Sequence, residues 1–382
     1  MFAPSPNPYR LAVLISGGGR TLENIQAAIG RGDFNAKVTT VISSRPGVFG
    51  LTRAANLGIP ASVVVRKQYN SPSEFSDVIW AKIREAGADL VCLCGFLSLI
   101  TIPPDFAGKV INVHPALLPS FGGKGMFGHH VHDAVIAHGC KVSGCTVHFA
   151  DDTYDTGPIL VQRVCDVLDD DTPDSLAARV FEQECLAYPQ ALKMLAEGRV
   201  ILQDSRARIV PLISDMIQRA RRFSEVAHEG QTRVGGEPYA THPAAVVEIL
   251  RAHGVTDADI LAAGYLHDTV EDTSITFDQL ARAFNPRIAS IVGELTIPKE
   301  FEEPSEKKNA WLLEHAPKLS VPAKWIKLAD RFHNVKQLAA KSPDRQARYV
   351  KATTALIQAL KPWPCEPLAH GISEGLKAYP KA

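Results

Sequence analysis

The sequence has no excess of charge of either sign: 41 lysines and arginines balance 41 aspartates and glutamates over 382 residues. That removes the electrostatic footprint of a protein that grips nucleic acid or an anionic membrane broadly, so small-molecule substrates are the expectation. No cysteine pair has C-x-x-C spacing, and the seven cysteines, at 92, 94, 140, 145, 165, 185 and 365, are odd in number. Neither a disulfide framework nor a zinc ribbon is indicated, and a reducing, cytoplasmic setting fits. The chain lacks any run of about 18 apolar residues, and its opening MFAPSPNPYR has no apolar core of a signal peptide, so neither export nor a membrane span is expected. No internal repeat or low-complexity tract is visible. What remains is an ordinary globular composition, 46% hydrophobic and 21% charged, on a chain long enough for two or three domains.

The patterning divides that length in two. From Leu11 to about Val200 short apolar runs (LAVLIS, VTTVISS, SVVV, DLVCLCG, VINVH) alternate with amphipathic helical stretches, the order of an open, mostly parallel α/β sheet of Rossmann-like type. KVSGCTVHF and GPILVQRVC read as later strands, and residues 172–198 as a long closing helix with Thr172 as its N-cap and Gly198 as its stop. From about Ile209 to Leu360 nearly every pattern has helical period, which predicts an all-α domain. The expected organisation is an α/β domain over residues 8–205, a helical domain over 206–364, and a Pro-containing peripheral tail over 365–382.

Chemistry in the first part begins where the first strand runs into SGGGRTLENIQ. Gly17, Gly18 and Gly19 permit a tight turn before a helix, and N–H groups exposed at such a turn make an anion site. The same turn is also compatible with a plain connection, since the P-loop lysine and the full dinucleotide fingerprint are missing. In KVINVHPALLPS the two-residue strand period sends Asn112 and His114 to one side, at the carboxyl end where parallel sheets bind ligands. Taken alone, that pair equally suits a strand end that bonds a loop. DDTYDTGPIL adds Asp155 before a Thr-Gly-Pro turn.

In this order and spacing SGGGRTL, NVHPALLPSF and DTGPIL resemble the glycinamide ribonucleotide formyltransferases of purine biosynthesis, over about residues 10–203. The resemblance implies that Asn112, His114 and Asp155 are catalytic, that Gly19, Arg20 and Thr21 cradle the substrate phosphate, and that Glu184 in FEQECLAYP holds the ribonucleotide. Phe96, Leu97, Leu99 and Ile100 of CGFLSLI would line the pocket of the cosubstrate, 10-formyltetrahydrofolate. The chemistry asks for these residue types. An amine attacking a formyl carbon creates an oxyanion that Asn112 and a protonated His114 can stabilise, with Asp155 keeping His114 cationic and helping to move the proton. The histidines of GHHVHDAVIAHG (His129, His130, His132, His138) lack a facing i, i+4 pair with a carboxylate and are expected to be structural or part of a substrate loop. His148, in TVHF, is expected to support the site or the core.

The helical part carries GYLHDTVEDT. On a helix His267 and Asp268 are neighbours, and Glu271 and Asp272 return to much the same face three or four residues later. Such a cluster is either a solvated acidic helix end or the seat of a cation. THPAAVV adds His242 at a helix start, and KLADRFHN adds Asp330 and Asn334 at i and i+4. The order H…HD…D is similar to that of HD-domain phosphohydrolases. HEGQTR, GEPYATHP, LHDTVEDT and KLADRFHN together resemble the RelA/SpoT-type guanosine polyphosphate hydrolases, over about residues 210–360. The resemblance implies one divalent metal, usually manganese, on His242, His267, Asp268 and Asp330, with Glu271 and Asp272 handling the attacking water and Asn334 steadying water or substrate. Arg233 matches a base-contacting arginine, but Val234 stands where a second basic residue often follows, which loosens the expected guanine selectivity. Lys307 and Lys308 either meet phosphates or form a charged loop. No synthetase-like segment follows, as in the small hydrolase-only forms. A bifunctional enzyme is the leading expectation. A nucleotide-sensing helical module, or one acting on NADPH or another nucleotide, is the alternative.

Overall fold

The computed structural model describes residues 7–203, 205–233 and 236–379, and the chain divides into two compact units between Ile209 and Val210. The first contains β1 (Tyr9–Ile15), α1 (Arg20–Gly30), β2 (Ala36–Ser43), α2 (Phe49–Asn56), β3 (Ala61–Val63), α3 (Pro72–Glu85), β4 (Leu90–Leu93), β5 (Val110–His114), α4 (His129–Ala137), β6 (Val142–Phe149), β7 (Ile159–Asp166), α5 (Pro173–Ala196), β8 (Val200–Gln203) and β9 (Arg206–Ile209). Seven strands form one sheet in the order β3-β2-β1-β4-β5-β6-β7. Strands β1 to β5 are parallel, and β6 and β7 join antiparallel, so the expected mostly parallel sheet is the one that forms. β8 and β9 make a separate hairpin, which carries this unit on to Ile209.

Burial of the central strand explains why its apolar run is continuous rather than alternating. Leu11 to Ile15 are fully buried, because α3 covers one face of the sheet through Phe75, Ile79, Trp80 and Ile83 while α1 and α5 cover the other through Leu22, Ile25, Leu176, Val180, Tyr188 and Leu192. The chain leaves β1 toward β2 on one side and returns as β4 on the other, which opens a crevice beyond the carboxyl ends of β1 and β4.

Helix α5 starts at the expected cap: the Thr172 hydroxyl accepts from Ser175 N, and Ser175 answers the Thr172 backbone, a capping box with Pro173 in the first turn. Pro189 lies inside the helix and cannot donate to the carbonyl of Cys185. Asn24 of α1 supplies the missing donor, Nδ2 to Cys185 O at 2.9 Å.

The second unit contains α6 (Met216–Ala227), α7 (Thr241–Ala252), α8 (Ala258–Leu266), α9 (Thr269–Asp272), α10 (Phe277–Ala283), α11 (Pro286–Leu295), α12 (Ser305–His315), α13 (Val321–Lys336), α14 (Pro343–Ala359) and α15 (Glu366–Leu376). Helix α13 packs against α7, α8, α11 and α15. Among the described residues no helix is long and apolar enough to cross a membrane.

The segment expected to be a peripheral tail is instead part of this core. Leu368, Ala369, Ile372 and Leu376 of α15 are buried against α13. Pro367 reads as a breaker in the sequence but occupies the first helical turn, where its missing N–H costs nothing. Two glycines let the helices approach: a Cβ on Gly371 would lie 3.0 Å from Phe332 Cε2, and one on Gly375 2.8 Å from Val335 Cγ1. Leu368→Ala is therefore expected to destabilise the helical unit by about 2–5 kcal/mol, the range for a buried leucine, and Gly375→Ala to destabilise it by crowding. Urea unfolding followed by circular dichroism checks both. A transition unmoved by either change would contradict the packing.

Candidate active sites

A cavity of about 640 Å³ opens at the carboxyl ends of β1, β4 and β5. Its floor is the turn after β1. Gly19 has φ +75° and caps α1, and a Cβ there would meet Gly50 Cα at 2.7 Å; only glycine fits a left-handed residue packed on another backbone. Gly50 N donates to Gly17 O at 3.2 Å, which fixes the turn. Gly18, Gly19, Arg20 and Thr21 line the cavity at the N-terminus of α1, where the helix dipole favours an anion. Arg20 lies over the Phe181 ring of α5, 4.0 Å from its centre. Also lining the cavity, from α5, the half-buried Glu184 has its carboxyl pushed up to about 7 by burial, with Arg20 pulling the other way.

Asn112, His114 and Asp155 line the same cavity. His114, 3% exposed, donates Nε2–H to Phe121 O at 2.7 Å, so Nδ1 is the atom left for chemistry, 3.4 Å from Asp155 Oδ2. Asp155 adopts φ +59° and accepts from Gly123 N at 2.9 Å. Burial works to raise its carboxyl, but the neighbouring His148 and His114 imidazoles and the Gly123 N–H hold it below the usual range. The expectation of a cationic His114 is corrected here. Burial lowers its pKa and outweighs the opposing pull of Asp155 and Phe121 O, so the resting imidazole is biased toward the neutral form.

Phe96 and Leu97 of the segment after β4 also face this cavity. Phe96, Leu99 and Ile100 line a smaller one next to it, which shares Asn112 and Tyr154 with the first. Asn112 thus stands between the space beside the glycine turn and the space beside the apolar loop.

Two further residues belong to this site. His148, 2% exposed, pairs in register with Asn112; its Nδ1–H donates to Phe149 O at 2.9 Å, and Nε2 accepts from Asn112 Nδ2 at 3.2 Å and lies 3.6 Å from Asp155 Oδ1. His132, 4% exposed, lines the cavity with an Nδ1 that has no hydrogen-bond partner among the described residues. His129 pairs loosely with Asp174 at the surface, 3.6 Å apart. The strand period brings His148 into view, but its opposition to Asn112 depends on β6 pairing with β5, which the sequence does not print.

In the helical unit the ends of α7 and α8 meet the middle of α13. His242 Nε2 lies 3.3 Å from Asp330 Oδ1 and 3.6 Å from Asp268 Oδ2, and His267 Nε2 lies 3.1 Å from Asp268 Oδ2. Ligand atoms of His242, His267 and Asp268 all fall within 4.8 Å of one another. The donor set fits a divalent cation on two grounds. His267 donates Nδ1–H to Gly264 O at 2.9 Å, which makes Nε2, buried and 3.1 Å from Asp268 Oδ2, the nitrogen turned into the seat, where a cation would replace a proton. Burial pulls the same imidazole down, yet Asp268 and Asp330 outweigh it and push it up to about 9, so the carboxylates call for positive charge.

Around this seat, the Tyr239 hydroxyl lies 2.7 Å from Asp268 Oδ2 and 2.8 Å from Asp272 Oδ2, and its ring stacks on His228. Burial and the neighbouring Asp268 raise Asp272 to about 6. Glu271 is turned away: Oε1 accepts from Lys308 Nζ at 2.8 Å and Oε2 from Ile297 N at 3.3 Å. Lys308 therefore meets a carboxylate rather than open solvent, and Lys307 bonds Glu300 O. Asn334 accepts from Arg233 Nη2 at 2.8 Å and donates to Asp330. Arg233 and Asn334 open onto a second cavity of about 500 Å³, which is also lined by Tyr239, Lys336 and Lys341. Val234 lies outside the described residues. Tyr239, His333, Lys336 and Lys341 were given no role by the sequence, although two of them sit inside the motifs quoted for this half.

An α/β sheet with this crevice, followed by a helical unit with this histidine–aspartate seat, defines a formyl transferase fold joined to an HD domain. The formyl transferase family model matches residues 9–192 and the HD domain model residues 220–360. Phosphoribosylglycinamide formyltransferase from Haemophilus influenzae is 36% identical over 200 residues, which cover 52% of this chain and 92% of that protein. The chloroplastic phosphoribosylglycinamide formyltransferase of Vigna unguiculata is 40% identical over 208 residues, 53% of this chain and 65% of that protein. The trifunctional purine biosynthetic protein adenosine-3 of Drosophila melanogaster is 39% identical over 197 residues, and only 14% of its length is spanned. The solved glycinamide ribonucleotide transformylase 1 of Symbiobacterium toebii is 35% identical, with a TM-score of 0.50, over 53% of this chain and 95% of that one. The chain belongs, through its first unit, to the phosphoribosylglycinamide formyltransferase family.

Proposed function

We propose that the first unit transfers the formyl group of 10-formyltetrahydrofolate to the amine of 5′-phosphoribosylglycinamide, and that the HD unit is a divalent-metal phosphohydrolase of a phosphorylated nucleotide of the guanosine tetraphosphate type. The observation that carries the first part is that Asn112, His114 and Asp155 share one cavity with the glycine turn and Glu184.

The acceptor phosphate would seat on the N–H groups of Gly19, Arg20 and Thr21, with Glu184 receiving ribose hydroxyls and the folate lying along Phe96, Leu97, Leu99 and Ile100. The amine then reaches the formyl carbon beside Asn112. As the new C–N bond forms, the formyl oxygen becomes anionic and the attacking nitrogen cationic. Asn112 donates to the oxygen, a contribution of about 3–4 kcal/mol when such a donor is preorganised. His114, neutral at rest, takes the proton at Nδ1 directly or through water, and Asp155 stabilises the imidazolium that results. The proton passes on to the leaving folate nitrogen as the C–N bond to it breaks. A purified-protein assay of folate-dependent formylation of phosphoribosylglycinamide tests the assignment. Inactivity with both substrates saturating would end it.

Because Glu184 is held at about 7, it accepts hydrogen bonds as a carboxylate above that pH and is protonated below it. KM for phosphoribosylglycinamide is therefore expected to rise as pH falls through 7 in the wild type and to stay flat in Glu184→Gln. Identical profiles for the two proteins would remove Glu184 from the acceptor site.

In the HD unit, His242, His267, Asp268 and Asp330 would hold the divalent ion, with manganese the expected metal; the ion would activate a water and polarise a phosphoryl oxygen. Asp272, raised to about 6 and bonded to Tyr239, would take the proton of that water. Glu271 keeps Lys308 at the edge of the site. Arg233, Lys336 and Lys341 give the adjoining cavity a cationic lining that suits a substrate with several phosphates. Phosphate release from guanosine tetraphosphate, NADPH and simple nucleotides in manganese tests this part, and tight binding without turnover would favour a sensor instead.

A further inference from the structure

We propose that His333 orients His242 and sets its tautomer for metal binding, with Gln337 completing the chain, so that His333 is a positioning residue of the seat. This inference rests on the reading of the His242, His267, Asp268 and Asp330 cluster as a metal site.

The geometry starts from one contact. His242 Nδ1 and His333 Nδ1 are 2.8 Å apart, a distance at which one nitrogen must carry the proton and the other a lone pair. His242 faces Asp330 and Asp268 with Nε2, so Nε2 is the atom that can ligate. A ligating Nε2 must be unprotonated, which puts the His242 proton on Nδ1 and makes His333 Nδ1 the acceptor. His333 then carries its own proton on Nε2, 3.5 Å from the Gln337 side-chain amide. A half-turn of that amide, whose oxygen and nitrogen are interchangeable in shape, sets Oε1 there to accept. The chain Gln337–His333–His242 can run in either sense: with no cation a proton on His242 Nε2 faces Asp330 Oδ1, whereas a bound cation selects the sense in which His333 accepts from His242 and the Nε2 lone pair points into the seat.

The second imidazole is set differently. His267 gives its Nδ1–H to Gly264 O, a backbone carbonyl that can only accept. The His242 partner is itself an imidazole whose acceptor nitrogen can be removed by substitution, so the two ligands are separable by experiment. His333 lies on α13 three residues after Asp330, which means that the helix supplying a carboxylate to the seat also supplies the group that aims an imidazole into it.

The test is a calorimetric titration of the full-length, chelator-stripped protein with Mn²⁺ alone. His333→Leu keeps bulk but has no acceptor, and its Mn²⁺ affinity is expected to fall about 10- to 100-fold, the usual cost of losing such an outer partner. His333→Asn can place an amide oxygen close to the position of Nδ1 and is expected to recover most of that loss. Thermal unfolding of the metal-free proteins supplies a readout that a merely structural role would move and this one leaves nearly unchanged. Equal Mn²⁺ affinity in the wild type and His333→Leu overturns the proposal, as does a His333→Asn protein no better than His333→Leu. A wild type that binds no Mn²⁺ removes the metal reading itself, an outcome visible before any variant is compared.

Discussion

Asp155→Asn is expected to lower kcat for formyl transfer about 10²- to 10⁴-fold, the span associated with losing one acid–base group, with the fold intact. The substitution isolates charge. Asp155 sits at φ +59°, a left-handed conformation that asparagine tolerates better than most side chains, and an amide oxygen still accepts from Gly123 N. What disappears is the negative charge 3.4 Å from His114 Nδ1, which is needed only once the imidazole has taken a proton. The loss should therefore fall on kcat rather than on KM for either substrate. His114→Ala should give a loss of similar order, and the double variant little more, because the two act as one unit. A companion expectation concerns pH. With burial depressing His114, the imidazole becomes cationic only below its ordinary range, so the acidic limb of kcat/KM attributable to it lies below 6.5, the ordinary value. Steady-state kinetics across pH check all of this, and near-normal turnover of Asp155→Asn would remove the acid–base role.

The second large effect is expected in the other unit, where ligand and water-handling residues should fail differently. Asp268→Ala and His267→Ala each remove one of the proposed metal donors and are expected to lose bound metal and hydrolysis together. Asp272→Asn should retain the metal and lose turnover about 10²- to 10⁴-fold, since its carboxylate bonds Tyr239 and lies outside the His242–His267–Asp268 cluster. Glu271→Gln should also retain the metal, with a smaller loss transmitted through Lys308. Elemental analysis beside phosphate release separates the classes, and a fully active Asp268→Ala protein would contradict the seat. Formyl transfer should survive all four changes, because the two cavities are lined by residues of different units.

Much of this was legible from residue order. The run from Leu11 to Ile15 announces a strand buried on both faces, and the period of two in VINVH separates Asn112 and His114 from Ile111 and Val113. The parts that were not legible are those that depend on pairing or on main chain. His148 gains a role only because β6 returns antiparallel beside β5. The acceptor that decides which nitrogen of His114 is free is a backbone carbonyl, that of Phe121, and no side-chain pattern announces it. The charge state expected for His114 failed for a related reason, since a sequence gives the partner carboxylate but not the depth of burial that opposes it. In the helical unit, LADRFHN drew attention to Asp330 and Asn334, whereas His333 between them acquires meaning only when α7 brings His242 within 2.8 Å. The last helix was misjudged because proline and two glycines look like punctuation until Phe332 and Val335 are seen pressing on those glycines.

Pro189 has a mechanical consequence. By leaving the Cys185 carbonyl without its helical donor, it recruits Asn24 from α1, and Arg20 over Phe181 adds a second tie between the same two helices. The glycine turn opens α1, and Glu184 precedes Cys185 on α5, so two parts of the cavity lining are tied together through these helices. Their separation then acts as a calliper. If the proposed acceptor sets its phosphate on the glycine turn and its sugar hydroxyls on Glu184, the fixed spacing of the two would gauge it before any chemistry begins.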